Sequence, residues 1–350
     1  MKAITVLHRA VFCTIGLILS AVPLTSWGVD LAKDEGMGGG QTGTMIGEEE
    51  TIAEVDIYRG PDFKISGAIG LGIANTRARE IVYYTGGEGY PDWEDGHKMS
   101  ELIWETKNAL MLGGEISVQA LKRIYFNLAG WARISGGGAH MDDYDWLYEE
   151  YPDLWSDWSH SPTTVDKGLI LNGNIAYAFL KGERLHLRLV GGFKFDNWKW
   201  RDKNGYYTYS SGGFRNDSGW FDSTTGIIYE QKFFIPYGGL AGDLYLFPTL
   251  SAGLHVYFSP YVWAQSDDDH VTRAMHIKDT FHGGRCLMIG AELKWKFFDP
   301  FYAMASFDWQ EIPVIKGDSE YSGSFTGDYD DIAGIYNRTY IFAGYLGCEF

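Results

Sequence analysis

Cysteine is nearly absent from this chain of 350 residues: Cys13, Cys286 and Cys348 are the whole supply. That excludes a disulfide-stapled scaffold and any cysteine-based zinc finger. Cys286 and Cys348 fall in separate alternating segments, and strands that are not neighbours could not bridge them. Long apolar runs are also missing. Beyond the first residues no stretch approaches the ~18 apolar residues of a helical membrane span. Positive charge is scarce, with 29 Lys and Arg against 46 Asp and Glu and a formal net charge of −17. Such a surface repels nucleic acid and favours cationic partners wherever its carboxylates cluster. Familiar hydrolase signatures are lacking too. There is no G-x-S-x-G, no H-E-x-x-H and no Cys–His arrangement, so a hydrolase built from this chain would use water as its nucleophile, without a metal or an organic cofactor.

What is present begins with Lys2 and Arg9 around an apolar run from Ala10 to Ala21. The pattern reads as a secretory signal over residues 1–28, with small residues Ser26 and Gly28 before the cut. Residues 29–60 are Gly-rich and acidic and read as a flexible lead-in. From residue 61 onward, period-two segments recur. Leu250, Ala252, Leu254, Val256 and Phe258 share one face, as do Leu287, Ile289, Ala291, Leu293, Trp295 and Phe297. The intervening residues are mostly small or polar, as expected where one face meets lipid and the other a watery lumen. With 45 Gly, 23 Tyr, 20 Phe and 13 Trp, the composition fits a barrel with aromatic girdles.

Connections come in two lengths. Lys181-Gly182-Glu183 and Asp299-Pro300 are tight, whereas 85–97, 142–166, 201–224, 267–282 and 316–335 are long and polar. Short turns at one end and long extracellular loops at the other are the mark of an outer-membrane barrel. A secreted β-sandwich would alternate similarly but has no reason to segregate its loops. Five long loops predict an all-β fold: a ten-stranded antiparallel transmembrane β-barrel over residues 61–350, closed without edges. The last strand, with Tyr340, Phe342, Gly344, Leu346, Cys348 and Phe350 on one face, ends on an aromatic residue, like strands recognised for barrel insertion.

Two short clusters carry the candidate chemistry. Asp143 and Asp145 are separated by two, so a continuing strand puts both carboxylates on one face. Adjacent carboxylates repel when both ionise, so one tends to hold a proton or the two share a water. A solvated acidic loop or a weak calcium site is the plainer alternative, without EF-hand spacing to support it. Asp268 and His270 form a second pair at the same spacing. A carboxylate beside an imidazole raises its basicity and fixes its tautomer, which suits a general base. A surface histidine among acids is the plainer alternative there.

These residues, with Gly130-Trp131, Gly136-Gly137, Met141 to Trp146, Trp155-Ser156-Asp157, Pro162, Tyr209 to Ser211, Gly213-Phe214-Arg215, Phe234 to Tyr237 and Ala333-Gly334-Ile335, resemble the omptins, outer-membrane proteases of Gram-negative bacteria. The resemblance implies a barrel projecting above the membrane, with Asp143 and Asp145 facing Asp268 and His270 across an outward groove. It implies monomeric endopeptidases acting on peptides and proteins beside basic residues. Glu80 then matches the acid receiving the side chain before the scissile bond, Asp157 a groove acid on the other side, and Asp267 stands nearest to the second pocket acid. Carboxylates facing Arg or Lys give charge-assisted hydrogen bonds. For Glu80 an interior salt bridge with Arg77 or Arg79 is the alternative. The resemblance also implies lipopolysaccharide as an activating lipid, with Lys232 and Lys278 at positions usually basic, while Phe193, Phe195 and Asn197 replace the family's Tyr/Glu/Arg run. A catalytically silent barrel serving adhesion or host-protein capture is the rival in a different class.

Overall fold

The computed structural model describes residues 63–86 and 94–350. The signal at 1–28 and the lead-in at 29–60 lie outside the described residues. The described chain is built from strands β1 (Phe63–Tyr83), β2 (Lys98–Ala120), β3 (Ile124–Ser135), β4 (Gly138–Asp145), β5 (Asp157–Lys181), β6 (Leu185–Asp202), β7 (Tyr206–Tyr209), β8 (Asp217–Trp220), β9 (Ile227–Phe247), β10 (Leu250–His270), β11 (Met275–Phe298), β12 (Phe301–Gly323) and β13 (Gly327–Glu349). One 3₁₀ turn, Val271–Arg273, caps the β10–β11 hairpin.

Neighbours in sequence pair antiparallel around a ring. β1 pairs with both β2 and β13, and β5 pairs with both β3 and β6. β4 continues the course of β3, pairing with β2 and β5 higher up. Counting β3 and β4 as one interrupted strand, ten strands close the barrel among the described residues, as the loop pattern predicts. The interruption is narrow: a Cβ on Gly137 would lie 1.7 Å from the Lys107 carbonyl oxygen, so only glycine fits where β3 gives way to β4.

Most strands are long. β5 has 25 residues, β11 has 24 and β12 has 23, about twice the 9–11 residues that a tilted strand needs to cross a bilayer. The lower half carries the lipid belt. Leu71, Leu112, Leu128, Ile175, Leu189, Leu240, Leu254, Phe342 and Leu346 are exposed on its outer face. Phe247, Trp295 and Phe297 edge the belt near the short turns, and Tyr261 and Trp263 edge it above, the girdles expected at the two interfaces. Inside this half is a polar cavity of about 580 Å³ lined by residues such as Asn172, Arg188, Asp243 and Glu292.

Above the belt the outer face turns from aliphatic to charged. This overturns part of the loop assignment: 267–270, 275–282, 316–323 and 327–335 are strand, not loop. Without lipid on the outside, outward positions need not be apolar, and the alternation that marks a strand disappears although the ladder continues. The interior here is packed rather than hollow. Trp104, Trp198, Trp200 and Tyr229 are buried. The Trp104 and Tyr229 rings stack at 5.5 Å, and Trp200 Nε1 donates to Thr106 Oγ1 at 2.9 Å. This aromatic layer is the floor on which the upper groove sits.

Candidate active site

Strand parity sorts the acidic residues of the upper barrel. In β4, Asp142 points out and its Oδ1 meets His160 Nδ1 at 2.8 Å, while Asp143 and Asp145 point in. In β10, Asp267 and Asp269 point out to Lys232 and His276, while Asp268 and His270 point in. Both sequence-predicted pairs therefore occupy the inner face at the top of the barrel. They interact across it: the Asp143 carboxyl feels the charge of Asp268, and the Asp145 carboxyl feels His270.

The aspartate pair is held at the edge of β4, beside β2 and β5. Ser100, opposite Asp145 in the ladder, places its hydroxyl 3.5 Å from Asp143 Oδ1. Burial first, and then the charge of Asp145, drives the Asp143 carboxyl well above the usual carboxylate range. Burial likewise pushes Asp145 up, to about 6, with the Ser100 hydrogen bond opposing it. Burial and mutual repulsion thus raise the proton affinity of the pair, as expected of neighbouring carboxylates in a desolvated site. Arg273, in the turn after His270, is a cation whose field reaches both aspartates. Tyr209, on the β7–β8 hairpin that pairs with the top of β5, shares their environment, its phenol raised by burial and by their charge.

In the second pair, His270 Nε2 lies 2.7 Å from Asp268 Oδ2, and Asp268 is fully buried. The contact engages Nε2 and leaves Nδ1 as the other ring nitrogen. The pair can accept a proton at that nitrogen and hold the resulting imidazolium against a carboxylate.

The remaining predicted residues separate. Glu80 is 5% exposed and points inward from β1. Arg77 and Arg79 point to the opposite face, where they pair with Glu105 and Glu101; residues an odd number apart on a strand cannot share a face, which removes the interior salt bridge with Glu80. Asp157 stands directly opposite Asp145 in the β4–β5 ladder. It is bound by Ser156 Oγ at 2.6 Å and by the Ser210 backbone N–H at 2.8 Å. Asp267 is not brought into the groove. It faces outward, one residue out of phase with Asp268, and takes a 2.7 Å contact from Lys232. Lys278 pairs opposite Asp267 on the same outer wall. A groove acid that sequence reading missed is Asp279, 3% exposed on the inner face of β11. Ser100 and Arg273 were missed as well, and Tyr209 was named only as part of the family resemblance, without a role. No motif marks Ser100 or Arg273, and their places come from pairing and turn geometry.

Among the described residues no group of three or more His, Cys, Asp or Glu side chains is arranged to hold a metal ion. Cys286 and Cys348 are free and buried in separate strands.

The Omptin family model matches residues 62–350. The chain belongs to the omptin family. Among proteins similar to it, "Plasminogen activator" of Yersinia pestis is 27% identical over 278 residues, covering 78% of this chain and 85% of that protein. "Outer membrane protease OmpP" of Escherichia coli K12 is 31% identical over 224 residues, covering 63% of this chain and 68% of OmpP. The crystal structure of outer membrane protease OmpT from Escherichia coli superposes with a TM-score of 0.77 at 24% identity, covering 83% of this chain and 99% of OmpT. The omptin at hand is accordingly an outer-membrane β-barrel, and the exposed apolar belt and ten-strand ring are its membrane anchor.

Proposed function

We propose that this omptin is an outer-membrane endopeptidase that cuts peptides and proteins beside basic residues, acting as a monomer with its groove facing outward. The observation that carries the reading is the inward convergence of Asp143, Asp145, Asp268 and His270 on one groove above the lipid belt. Family membership and relatives named as proteases support it.

In this reading a water lies between the aspartate pair and His270 Nδ1. As its oxygen bonds to the peptide carbonyl carbon, its proton passes to Nδ1, and Asp268 stabilises the imidazolium. The carbonyl oxygen becomes an oxyanion. The protonated member of the aspartate pair donates a hydrogen bond to it, a role open to a carboxyl group kept neutral by burial. The C–N bond then breaks and the imidazolium returns its proton to the leaving amine. No metal or organic cofactor takes part. Glu80 receives the basic side chain before the scissile bond, and Asp157 favours a basic residue after it. Lys232 and Lys278 on the outer wall offer charge to lipopolysaccharide phosphates. Lys232 is already engaged by Asp267 and Glu230, so lipid activation requires exchange of those partners.

The test is cleavage of internally quenched peptides holding Arg-Arg, Lys-Lys, Arg-Ala or Ala-Ala by the detergent-folded protein, with and without rough lipopolysaccharide. Arg-Arg is cut, and His270→Ala or Asp143→Ala lowers the rate by about 10³-fold or more, the loss of a positioned proton acceptor or donor. Cleavage that survives both substitutions sinks the mechanism. No cleavage of any peptide leaves the acidic groove as a binding surface.

A further inference from the structure

The upper barrel treats its carboxylates in two ways. On the outer wall several of them are paired with the chain's own cations. Glu101 meets Arg79 and Lys98, Glu105 meets Arg77, Asp166 meets Arg201 and Asp267 meets Lys232. On the inner wall Glu80 and Asp279 are almost wholly buried, yet no Lys or Arg among the described residues pairs with either. Glu80 Oε2 has no hydrogen-bond partner among the described residues, and the charged group acting most strongly on the Glu80 carboxyl is another acid, Asp268.

Asp279 is held in a fixed orientation. Ser266, its cross-strand partner, donates to Oδ2 at 2.7 Å, and Ser319 from β12 donates to Oδ1 at 2.7 Å. One hydroxyl on each oxygen leaves further lone pairs on both. Glu80 senses the charges of Asp268 and Asp279, which places the three carboxyls around one space. Two rings share that space: the phenols of Tyr229 and Tyr321 each sense both Glu80 and Asp279. Five strands, β1, β9, β10, β11 and β12, thus contribute to a recess with carboxyls and aromatic rings but no cation.

We infer that Asp279 is a specificity-determining residue, the second carboxylate that, with Glu80, receives the guanidinium or ammonium group of a substrate side chain. Planar guanidinium can bridge two carboxylates with paired N–H donors and lie against tyrosine faces. Buried acids without a cation are costly when ionised, so burial raises their affinity for protons, and an arriving cation favours the ionised form. The inference rests on the proposed peptidase groove for its substrate. It assigns the second acid to β11, in place of the outward Asp267. The alternative is that Asp279 only ties Ser266 to Ser319.

The experiment compares peptides carrying Arg or its neutral isostere citrulline before the scissile bond. Asp279→Asn keeps the shape and accepts a serine hydrogen bond while removing the charge. It should lower kcat/KM for Arg by about 10- to 100-fold, mainly through KM, with citrulline little changed; this is the range for a charged hydrogen bond lost. An Arg-to-citrulline ratio within twofold of the parent protein overturns the inference even when cleavage itself is robust. Should Asp279→Asn fail to fold, the parent protein decides: its KM for Arg peptides rises as pH falls through about 6, the citrulline KM does not, and parallel profiles overturn the assignment. Calorimetric binding of both peptides to His270→Ala, with and without Asp279→Asn, separates this inference from the hydrolytic one. A charge-dependent loss of binding sustains the pocket even where no peptide is cut, and equal binding removes it.

Discussion

The two halves of this barrel use the same strands under opposite rules. Around Leu71, Leu112 and Leu254 the outer face is aliphatic and the inner face holds polar residues such as Asn172 and Arg188. Above Tyr261 and Trp263 both faces carry charge, and what differs is whether each acid has a cation beside it. In the lower half parity separates apolar from polar. In the upper half it separates acids that meet a Lys or Arg on the outer wall from Glu80 and Asp279, which meet neither among the described residues. Solvent on the outside lets Lys and Arg reach outward carboxylates freely. The inner pair is therefore found by asking which buried acids lack a cation, not which segments are acidic.

The comparison can be broken most sharply from the belt. Leu254→Arg, at an exposed mid-belt position, should destabilise the folded barrel by about 2–4 kcal/mol in vesicles, measured by urea unfolding followed through tryptophan fluorescence. Asp269→Arg, outward but above the belt, should change stability far less. Equal costs would mean that the lipid boundary is misplaced. A smaller effect sharpens the contrast between inward and outward acids. Burial raises Asp279 from 3.8 to about 6, so its neutral form favours folding below about pH 4 and that contribution is lost as pH rises through 6. Asp279→Asn should then stabilise the barrel by about 3 kcal/mol at pH 8 and by nothing near pH 4. A gain that does not grow with pH would argue that the carboxyl is not desolvated. The smallest effect belongs to the outer wall. Lys232→Ala removes contacts to Asp267 and Glu230 that solvent already screens, and should cost less than about 1 kcal/mol by the same assay.

Most of the architecture was legible because lipid on one side and water on the other write a period of two into the lower strands. The pairs Asp143/Asp145 and Asp268/His270 were legible for the same reason, since a spacing of two fixes a common face whatever the surroundings. The upper strands were mistaken for loops because charged residues such as Asp267, Asp269, His276 and Lys278 break the apolar pattern without breaking the ladder. The placement of Asp267 is more instructive. Asp268 facing inward already required Asp267 to face outward. Seeing Asp279 on the inner face required the register Ser266↔Asp279, which depends on how a short turn at Val271–Arg273 is closed. No local pattern encodes that register. Glu80 lay between the two cases: parity already set it on the face opposite Arg79, while the partner that Arg79 takes instead, Glu101 on the outer wall, was shown only by the strand pairing.

The seam between β1 and β13 runs from Ser66↔Glu349 to Val82↔Ala333 and joins the first described strand to the last. Glu80 lies near its upper end, while Asp143 and His270 reach the groove from either side of the ring. An open sheet holding every one of these side chains would not hold them facing one another. Closing that hydrogen-bonded seam is thus also what brings these side chains face to face, and an unclosed chain would hold the proposed chemistry in disassembled form.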